Sequence, residues 1–167
     1  MRLLLKNKSL KRKLIDINCF AINLVEDHPG YAYIEPIMTD GLMGNFQLFV
    51  LDIVPFRAHW IMTKRWDFPK TEAKEVIWNF IKGNSTIQYF GLNYLAILKA
   101  YELTKSLNHD IYDCYYVAGA ISVNCHSILT TDTDFEKLCK KLHSSERIGL
   151  DYENPVPVSV LTEFAKF

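Results

Sequence analysis

Short apolar runs alternate along this chain with longer stretches in which apolar residues recur at helical spacing. Residues 46–51 (FQLFVL) form a continuous β-rich run of the kind found in a strand buried on both faces. Clear helical stretches occupy 69–83, 93–107 and 110–124. This alternation predicts an α/β domain with a mainly parallel central sheet. The 167 residues, 49% of them hydrophobic, suffice for one domain with a full core.

The weaker predicted elements complete the α/β pattern. The first half of the chain has a strand ending at Asp16 that passes into a helix, a helix over 31–43 and a helix from about 52 to 65. The second half has a short strand over 86–90, a strand over 127–131 and a helix over about 134–142. The tail from 154 holds a short extended piece and a helix over about 159–166.

Aspartates occupy the places where ligands bind in such sheets. Asp16 ends the first strand, and Asp132 and Asp134 follow the strand over 127–131. Asp113 lies in the first turn of the helix that leads into that later strand. Because ligands of parallel sheets bind beyond the carboxyl ends of the strands, we expect Asp16, Asp113 and Asp132 to meet at one edge.

Clustered carboxylates raise one another's pKa, and a divalent cation removes that penalty. Oxygen ligands with few histidines favour Mg²⁺ or Mn²⁺ over zinc. Such a cluster suits phosphodiester hydrolysis, in which the metal activates a water and neutralises charge on the phosphate. On the pattern alone, Asp132 could equally be a helix N-cap and Asp16 a turn residue at the end of a strand.

Three segments in this order resemble the signatures of the PIN-domain nuclease family, which includes the VapC-type toxins. They are KLIDINCFAI, DIYDCYYVAGA and ILTTDTDFEKL, within about residues 13–145. Asp16 with Asn18 matches the first signature, although Ile17 stands where Thr or Ser is usual. The second signature is an aspartate followed by a small helix face, here Asp113 with Ala118 and Ala120. The third, Thr-x-Asp-x-Asp-Phe, is complete from Thr130 to Phe135.

The resemblance implies a three-layer α/β/α PIN-like fold and a metal-dependent endoribonuclease. Asp16, Asp113 and Asp132 would be the catalytic metal-holding residues, and Asp134 an outer partner. Asn18 and Thr130 would orient the ligands. The implied partners are an RNA substrate, an antitoxin protein if the chain is a toxin, and a second copy in a homodimer or higher oligomer. The alternative is a PIN-like module that binds RNA or protein without cleaving.

One acidic residue of the family pattern is missing. The family usually carries a Glu early in the helix after the second strand, a position that falls near Arg57 or Ala58 here. Asp52, about one turn earlier, either substitutes for it or caps the helix, and we favour the cap. Arg57 would contact a phosphate, or would pair with an aspartate and leave the site inert.

Composition bounds the remaining possibilities. Nineteen basic and nineteen acidic residues give no net charge, so the chain as a whole does not indicate a polyanion partner. The basic block 6–13 (KNKSLKRK) predicts a solvated arm or, less often, a nucleic-acid contact. No apolar run reaches membrane-spanning length, and MRLLL is too short for a signal peptide. We therefore expect a cytoplasmic protein without membrane contact, with its four cysteines reduced and buried.

The aromatic residues and histidines are expected to be structural. The three tryptophans, Trp60, Trp66 and Trp78, are expected in the core or at a dimer contact rather than as platforms on which bases stack. The five histidines are expected at the surface or in structural roles; they are His28, His59, His109, His126 and His143.

Overall fold

The computed structural model describes residues 10–164, which form five strands and eight helices. In chain order these are β1 (Arg12–Ile15), α1 (Ile17–Ile22), α2 (Tyr31–Leu42), β2 (Gln47–Leu51), α3 (Val54–Lys64), α4 (Lys70–Gly83), β3 (Gln88–Phe90), α5 (Tyr94–Leu107), α6 (Ile111–Ser122), β4 (Ser127–Leu129), α7 (Asp134–Lys141), β5 (Asp151–Glu153) and α8 (Val158–Leu161). A π-helical turn over Leu142–Glu146 extends α7.

The five strands form one parallel sheet in the order β3-β2-β1-β4-β5. Strand β1 lies at the centre and pairs with both β2 and β4, with Ile15 opposite Val50 on one side and Leu129 on the other. The carboxyl ends of these three strands are therefore level. Since parallel strands need crossover connections, helices separate them in the chain. The predicted parallel α/β architecture is confirmed.

The buried strands are continuously apolar because helices cover the sheet on both faces. Helix α1 packs on α3, α3 packs on α4, and α5 packs along α6. The middle of one core cluster consists of fully buried strand residues: Leu14, Ile15, Val50, Ile128 and Leu129. All four cysteines are free and buried, as predicted.

The ends of α5 and α6 are set by local capping. The Asn93 side chain accepts a hydrogen bond from the Ala96 N–H at the start of α5. Helix α5 ends at Asn108, whose left-handed backbone (φ 48°, ψ 60°) turns the chain sharply. Asp110 then caps α6 by accepting from the Tyr112 N–H. These short connections fix where α6 begins, at the carboxyl edge of the sheet.

Two local predictions are wrong, and a third lies partly outside the described residues. Helix α3 begins at Val54 with Ile53 as its N-cap and no capping side chain, so Asp52 does not cap it. The last strand lies at 151–153, before the tail, because pairing with β4 selects that segment. Of the helix predicted over about 159–166, the described residues show Val158–Leu161, and residues 165 and 166 lie outside the described range.

The basic block is in part a structural element. Its first residues, 6–9, lie outside the described range, but Arg12 and Lys13 belong to β1. Lys13 Nζ lies 2.6 Å from Glu153 Oε2, and the Arg12 guanidinium donates to the Val123 carbonyl oxygen at 2.9 Å. Lys13 thus links β1 to β5, and Arg12 links β1 to the end of α6, so these two residues belong to the fold and not to a separate arm.

Within residues 10–164, no helix has both the length and the apolar character required to cross a lipid bilayer.

Candidate active site

Asp16 is the buried centre of the candidate site. It follows β1 and is the N-cap of α1, with 5% of its surface exposed. Its Oδ1 accepts from the Ile17 N–H at 2.6 Å, and its Oδ2 accepts from the Thr130 hydroxyl at 2.6 Å. Both carboxylate oxygens are thus held by hydrogen bonds, which fix the orientation of the side chain.

Thr130 joins the ends of β1 and β4. Its side chain is fully buried, and its hydroxyl donates to Asp16 while accepting from the Asp132 N–H at 3.0 Å. The pairing of Ile15 with Leu129 brings the following residues, Asp16 and Thr130, side by side. The role predicted for Thr130, orienting a site carboxylate, is consistent with these contacts.

Asp113 lies in the first turn of α6, as predicted, and contacts a residue that the sequence reasoning missed. His109 Nε2 lies 2.8 Å from Asp113 Oδ2, and the two side chains are 18% and 22% exposed. His109 is one of the five histidines expected at the surface or in structural roles. No local signal predicts this contact, because His109 precedes α6 and the four-residue spacing applies only to residues within one helix.

We call Asp16, Asp113 and Asp132 the aspartate site. The charges of these residues affect one another's pKa. Burial raises the pKa of Asp16 to about 6; the hydrogen bonds from Thr130 and Ile17 oppose this rise, while the charges of Asp132 and Asp113 add to it. Burial also raises the pKa of Asp113, opposed by the His109 hydrogen bond and assisted by Asp132. Each of these pKa effects places Asp132 within electrostatic range of Asp16 and of Asp113.

Asp132 and Asp134 play different parts. Asp132 Oδ1 accepts from the Asp134 N–H at 2.9 Å, which shapes the turn into α7. The Asp134 side chain is 61% exposed and lies 3.8 Å from Lys137 Nζ. Helix α7 has Thr133 as its N-cap and no capping side chain, so the helix-capping alternative for Asp132 is wrong. The charge of Asp132 adds to the rise that burial causes in the pKa of Asp16.

The Asp52 side chain lies beside Gly91. It is exposed after β2, its N–H donates to the Phe90 carbonyl oxygen at 2.8 Å, and its carboxylate lies against Gly91. Burial raises the pKa of Tyr115, and the charge of Asp52 adds a smaller rise. The carboxylates whose charges raise the pKa of Asp16 are Asp132 and Asp113.

Arg57 and Asn18 belong to α3 and α1, the helices that follow β2 and β1. Arg57 is exposed in the first turns of α3 and forms no ion pair with any acidic residue of the described chain. Its guanidinium carbon lies 5.6 Å from the centroid of the Trp60 ring. Asn18 is half-buried and lines a cavity of about 260 Å³ together with Thr131 and Arg65.

Tyr116 is a second neighbour that the sequence reasoning missed. It is 5% exposed, and its hydroxyl has no hydrogen-bond partner among the described residues. Burial raises the pKa of its phenol; the charge of Asp16 adds to this, and that of Arg57 opposes it. The hydroxyl therefore lies close to the aspartate site. No sequence signal separates this tyrosine from a core aromatic on α6.

Two of the three tryptophans, predicted in the core or at a dimer contact, lie outside the core. Trp60 and Trp78 are 44% and 65% exposed, so neither is a core residue. Trp66 is half-buried, with its ring centroid 4.6 Å from that of His28.

The donor chemistry of the aspartate site fits a hard divalent cation, since it consists of carboxylates whose mutual repulsion a cation would relieve. In residues 10–164, no three His, Cys, Asp or Glu side chains stand close enough to hold one ion together. Mg²⁺ commonly binds through one or two carboxylates and keeps several waters. The donor chemistry is thus that of a hard divalent cation, and such a cation could keep part of its water shell here.

Comparisons with known proteins support the fold. No protein-family model and no curated protein matches the sequence. Among solved structures, the chain is similar to VapC20 of Mycobacterium tuberculosis, described as a toxin that cleaves the sarcin–ricin loop, with a TM-score of 0.59, 10% identity, and coverage of 74% of this chain and 92% of that one.

The second similar structure is VapBC2 from Rickettsia felis, bound to a DNA fragment from its promoter. It matches with a TM-score of 0.62 and 14% identity, covering 86% of this chain and 98% of that one. At these identities the likeness concerns the fold, and the predicted PIN-like α/β fold is confirmed.

Proposed function

We propose that this protein is a divalent-metal-dependent endoribonuclease of the PIN type, acting as the toxin of a toxin–antitoxin pair or in RNA processing. The observation that supports this best is the buried Asp16 at the carboxyl end of the central strand. It is held by Thr130, and its pKa is raised by Asp132 and Asp113 in addition to burial. Burying a carboxylate beside two others is unfavourable unless a ligand compensates it.

Asp16, Asp113 and Asp132 would hold Mg²⁺ or Mn²⁺ directly or through water. When bound, the ion supplies an activated water and neutralises charge on the phosphate. Thr130 keeps Asp16 in one orientation through the 2.6 Å hydrogen bond, and Asn18 orients ligands from α1. Asp134 acts from outside by donating its N–H to Asp132.

Arg57 would contact a substrate phosphate. Its guanidinium is exposed, forms no ion pair with a described acidic residue, and lies on the side of α3 from which its charge acts on Tyr116. A guanidinium in that position can donate two parallel hydrogen bonds to a phosphate. This favours the phosphate-contact alternative over an inert pairing with an aspartate.

RNA is the proposed substrate because VapC20, a protein of the same fold, is described as cleaving the sarcin–ricin loop.

An antitoxin protein is the proposed partner. An apolar groove of about 850 Å³ lies between α3 and α4 and is flanked by Phe56 and Trp78, which are 73% and 65% exposed. Exposed apolar surface of this kind commonly binds a protein partner. Exposed apolar side chains also lie on α5 and include Tyr94, Leu95 and Tyr101. We propose that this surface of α5 forms a homodimer contact.

A PIN-like module that binds RNA or protein without cleaving is the second candidate. It is favoured by the absence, in residues 10–164, of three side chains ready to hold one metal ion. It is disfavoured by the cost of keeping Asp16 buried and close to two other carboxylates.

Cleavage of an RNA panel with and without Mn²⁺ separates the two candidates. We expect cleavage that EDTA abolishes and Mn²⁺ restores, and we expect Asp16→Asn to remove most of the rate. The matched control is Asp27→Asn, at an exposed aspartate away from the strand ends. If the wild type cleaves no RNA and calorimetry detects no Mn²⁺ binding that depends on Asp16, the nuclease proposal is wrong and the binding module is the better account.

A further inference from the structure

His109 occupies the junction between α5 and α6, beside the aspartate site. The left-handed backbone of Asn108 ends α5, and His109 follows with its N–H 3.3 Å from the Thr104 carbonyl oxygen. This turn directs the imidazole over the first turn of α6, where Nε2 lies 2.8 Å from Asp113 Oδ2. With side chains 18% and 22% exposed, the pair is largely shielded from water.

The direction of this hydrogen bond follows from the chemistry of the two groups. An ionised carboxylate has no hydrogen to donate, so the imidazole Nε2–H must donate to Asp113 Oδ2. The bond fixes the rotation of the carboxylate and occupies Oδ2, which leaves Oδ1 for a cation or its water.

The helix does not need His109 for its own start. Asp110 already supplies the side-chain cap of α6 by accepting from the Tyr112 N–H at 2.8 Å. Asp113 in the first turn is favourable by itself, because acidic side chains complement the positive end of the helix dipole. An imidazole at that end gains nothing from the dipole, and a protonated one is disfavoured there. Its contact with Asp113 is therefore better explained by the orientation of that carboxylate.

We propose that His109 is a positioning residue of the aspartate site, which holds Asp113 so that its free oxygen serves the divalent ion. This inference rests on the proposed function. Ligating carboxylates are generally oriented by outer hydrogen-bond donors, and removing such a donor commonly weakens metal affinity or activity about 10–100-fold.

The test compares two substitutions of His109 in the full-length protein. His109→Ala removes the donor, whereas His109→Gln retains an N–H on a side chain long enough to reach a residue four positions on. The matched control is His143→Ala, because His143 Nε2 lies 3.7 Å from Asp151 Oδ1 in a His–Asp pair on another part of the fold. If His109→Ala does not fold, His109→Asn, whose shorter amide lacks the reach, takes its place.

Mn²⁺ affinity is measured by calorimetry, and kcat and KM are measured on a cleaved RNA. We expect His109→Ala to weaken Mn²⁺ affinity and lower kcat by about tenfold each, with KM for RNA changed less than twofold. We expect His109→Gln to recover most of both losses, and His143→Ala to match the wild type.

Two results would overturn the positioning role while leaving the nuclease proposal standing. In the first, His109→Ala changes thermal stability only and keeps the Mn²⁺ affinity and kcat of the wild type. In the second, His109→Gln loses as much as His109→Ala, so that the donated hydrogen bond is not the cause. A wild type that neither binds Mn²⁺ nor cleaves RNA would overturn the proposed function itself and this inference with it.

Discussion

Asp16→Asn should remove most of the activity and yet stabilise the protein at neutral pH. Burial raises the pKa of Asp16 from 3.8 to about 6 in the folded state. A difference of about 2 pKa units, at about 1.4 kcal/mol each, means that ionising Asp16 costs the folded state about 3 kcal/mol. Asparagine carries no charge and therefore does not incur this cost.

The sign of the pH dependence follows from which state holds the proton. Between about pH 4 and 6 the folded protein keeps Asp16 protonated while the unfolded chain has lost that proton. The free energy of unfolding therefore falls as pH rises through this window, and the full cost is present above pH 6. Below pH 4 both states are protonated and the cost is absent.

The substitution also weakens hydrogen bonding. Asp16 accepts from the Ile17 N–H and from the Thr130 hydroxyl with different oxygens, and asparagine has only one acceptor oxygen. Losing one of these bonds costs about 1–2 kcal/mol. The net expectation is a gain of about 1–2 kcal/mol above pH 7, and a loss of similar size at pH 4.

Urea unfolding at pH 8 and pH 4, with EDTA present to remove divalent ions, measures this reversal. Asp27→Asn is the control, because an exposed aspartate should change stability little at either pH. A variant that is less stable than the wild type at both pH values would refute the reasoning, since burial of the Asp16 charge would then cost the folded state nothing.

Further substitutions test other contacts of the structure. Thr130→Val removes a donor to Asp16 and the acceptor of the Asp132 N–H, so urea unfolding should show a loss of about 2–4 kcal/mol; a loss below 1 kcal/mol would contradict these contacts. Tyr116→Phe deletes a buried hydroxyl without a described partner and should leave the melting temperature equal or higher, whereas a clear decrease would indicate a missed partner. Gly41→Ala should cost about 1–3 kcal/mol, because its Cβ would lie 2.7 Å from Leu48. Gly83→Ala, with open space around its Cβ, is the control and should not destabilise the protein.

The sequence by itself determined the alternation of elements and the positions of the aspartates along them. Continuous apolar runs identify buried parallel strands because both faces of such strands are covered. Asp16 and Asp132 follow apolar runs, and Asp113 opens a helix that leads back into the sheet, so their common edge follows from local patterns. The helices α4, α5 and α6 were predictable within about two residues because their spacing and end signals are local.

Only the tertiary structure decided which neighbours each aspartate has. The hydrogen bond between Thr130 and Asp16 joins residues 114 positions apart and depends on β1 lying between β2 and β4, a strand order that no local pattern specifies. The same holds for Asp52, which ends a neighbouring strand but lies against Gly91, and for the unpaired hydroxyl of Tyr116. The contact of His109 with Asp113 depends on the path of the chain through the α5–α6 junction, because His109 precedes the first helical residue of α6 and no helical spacing fixes its position.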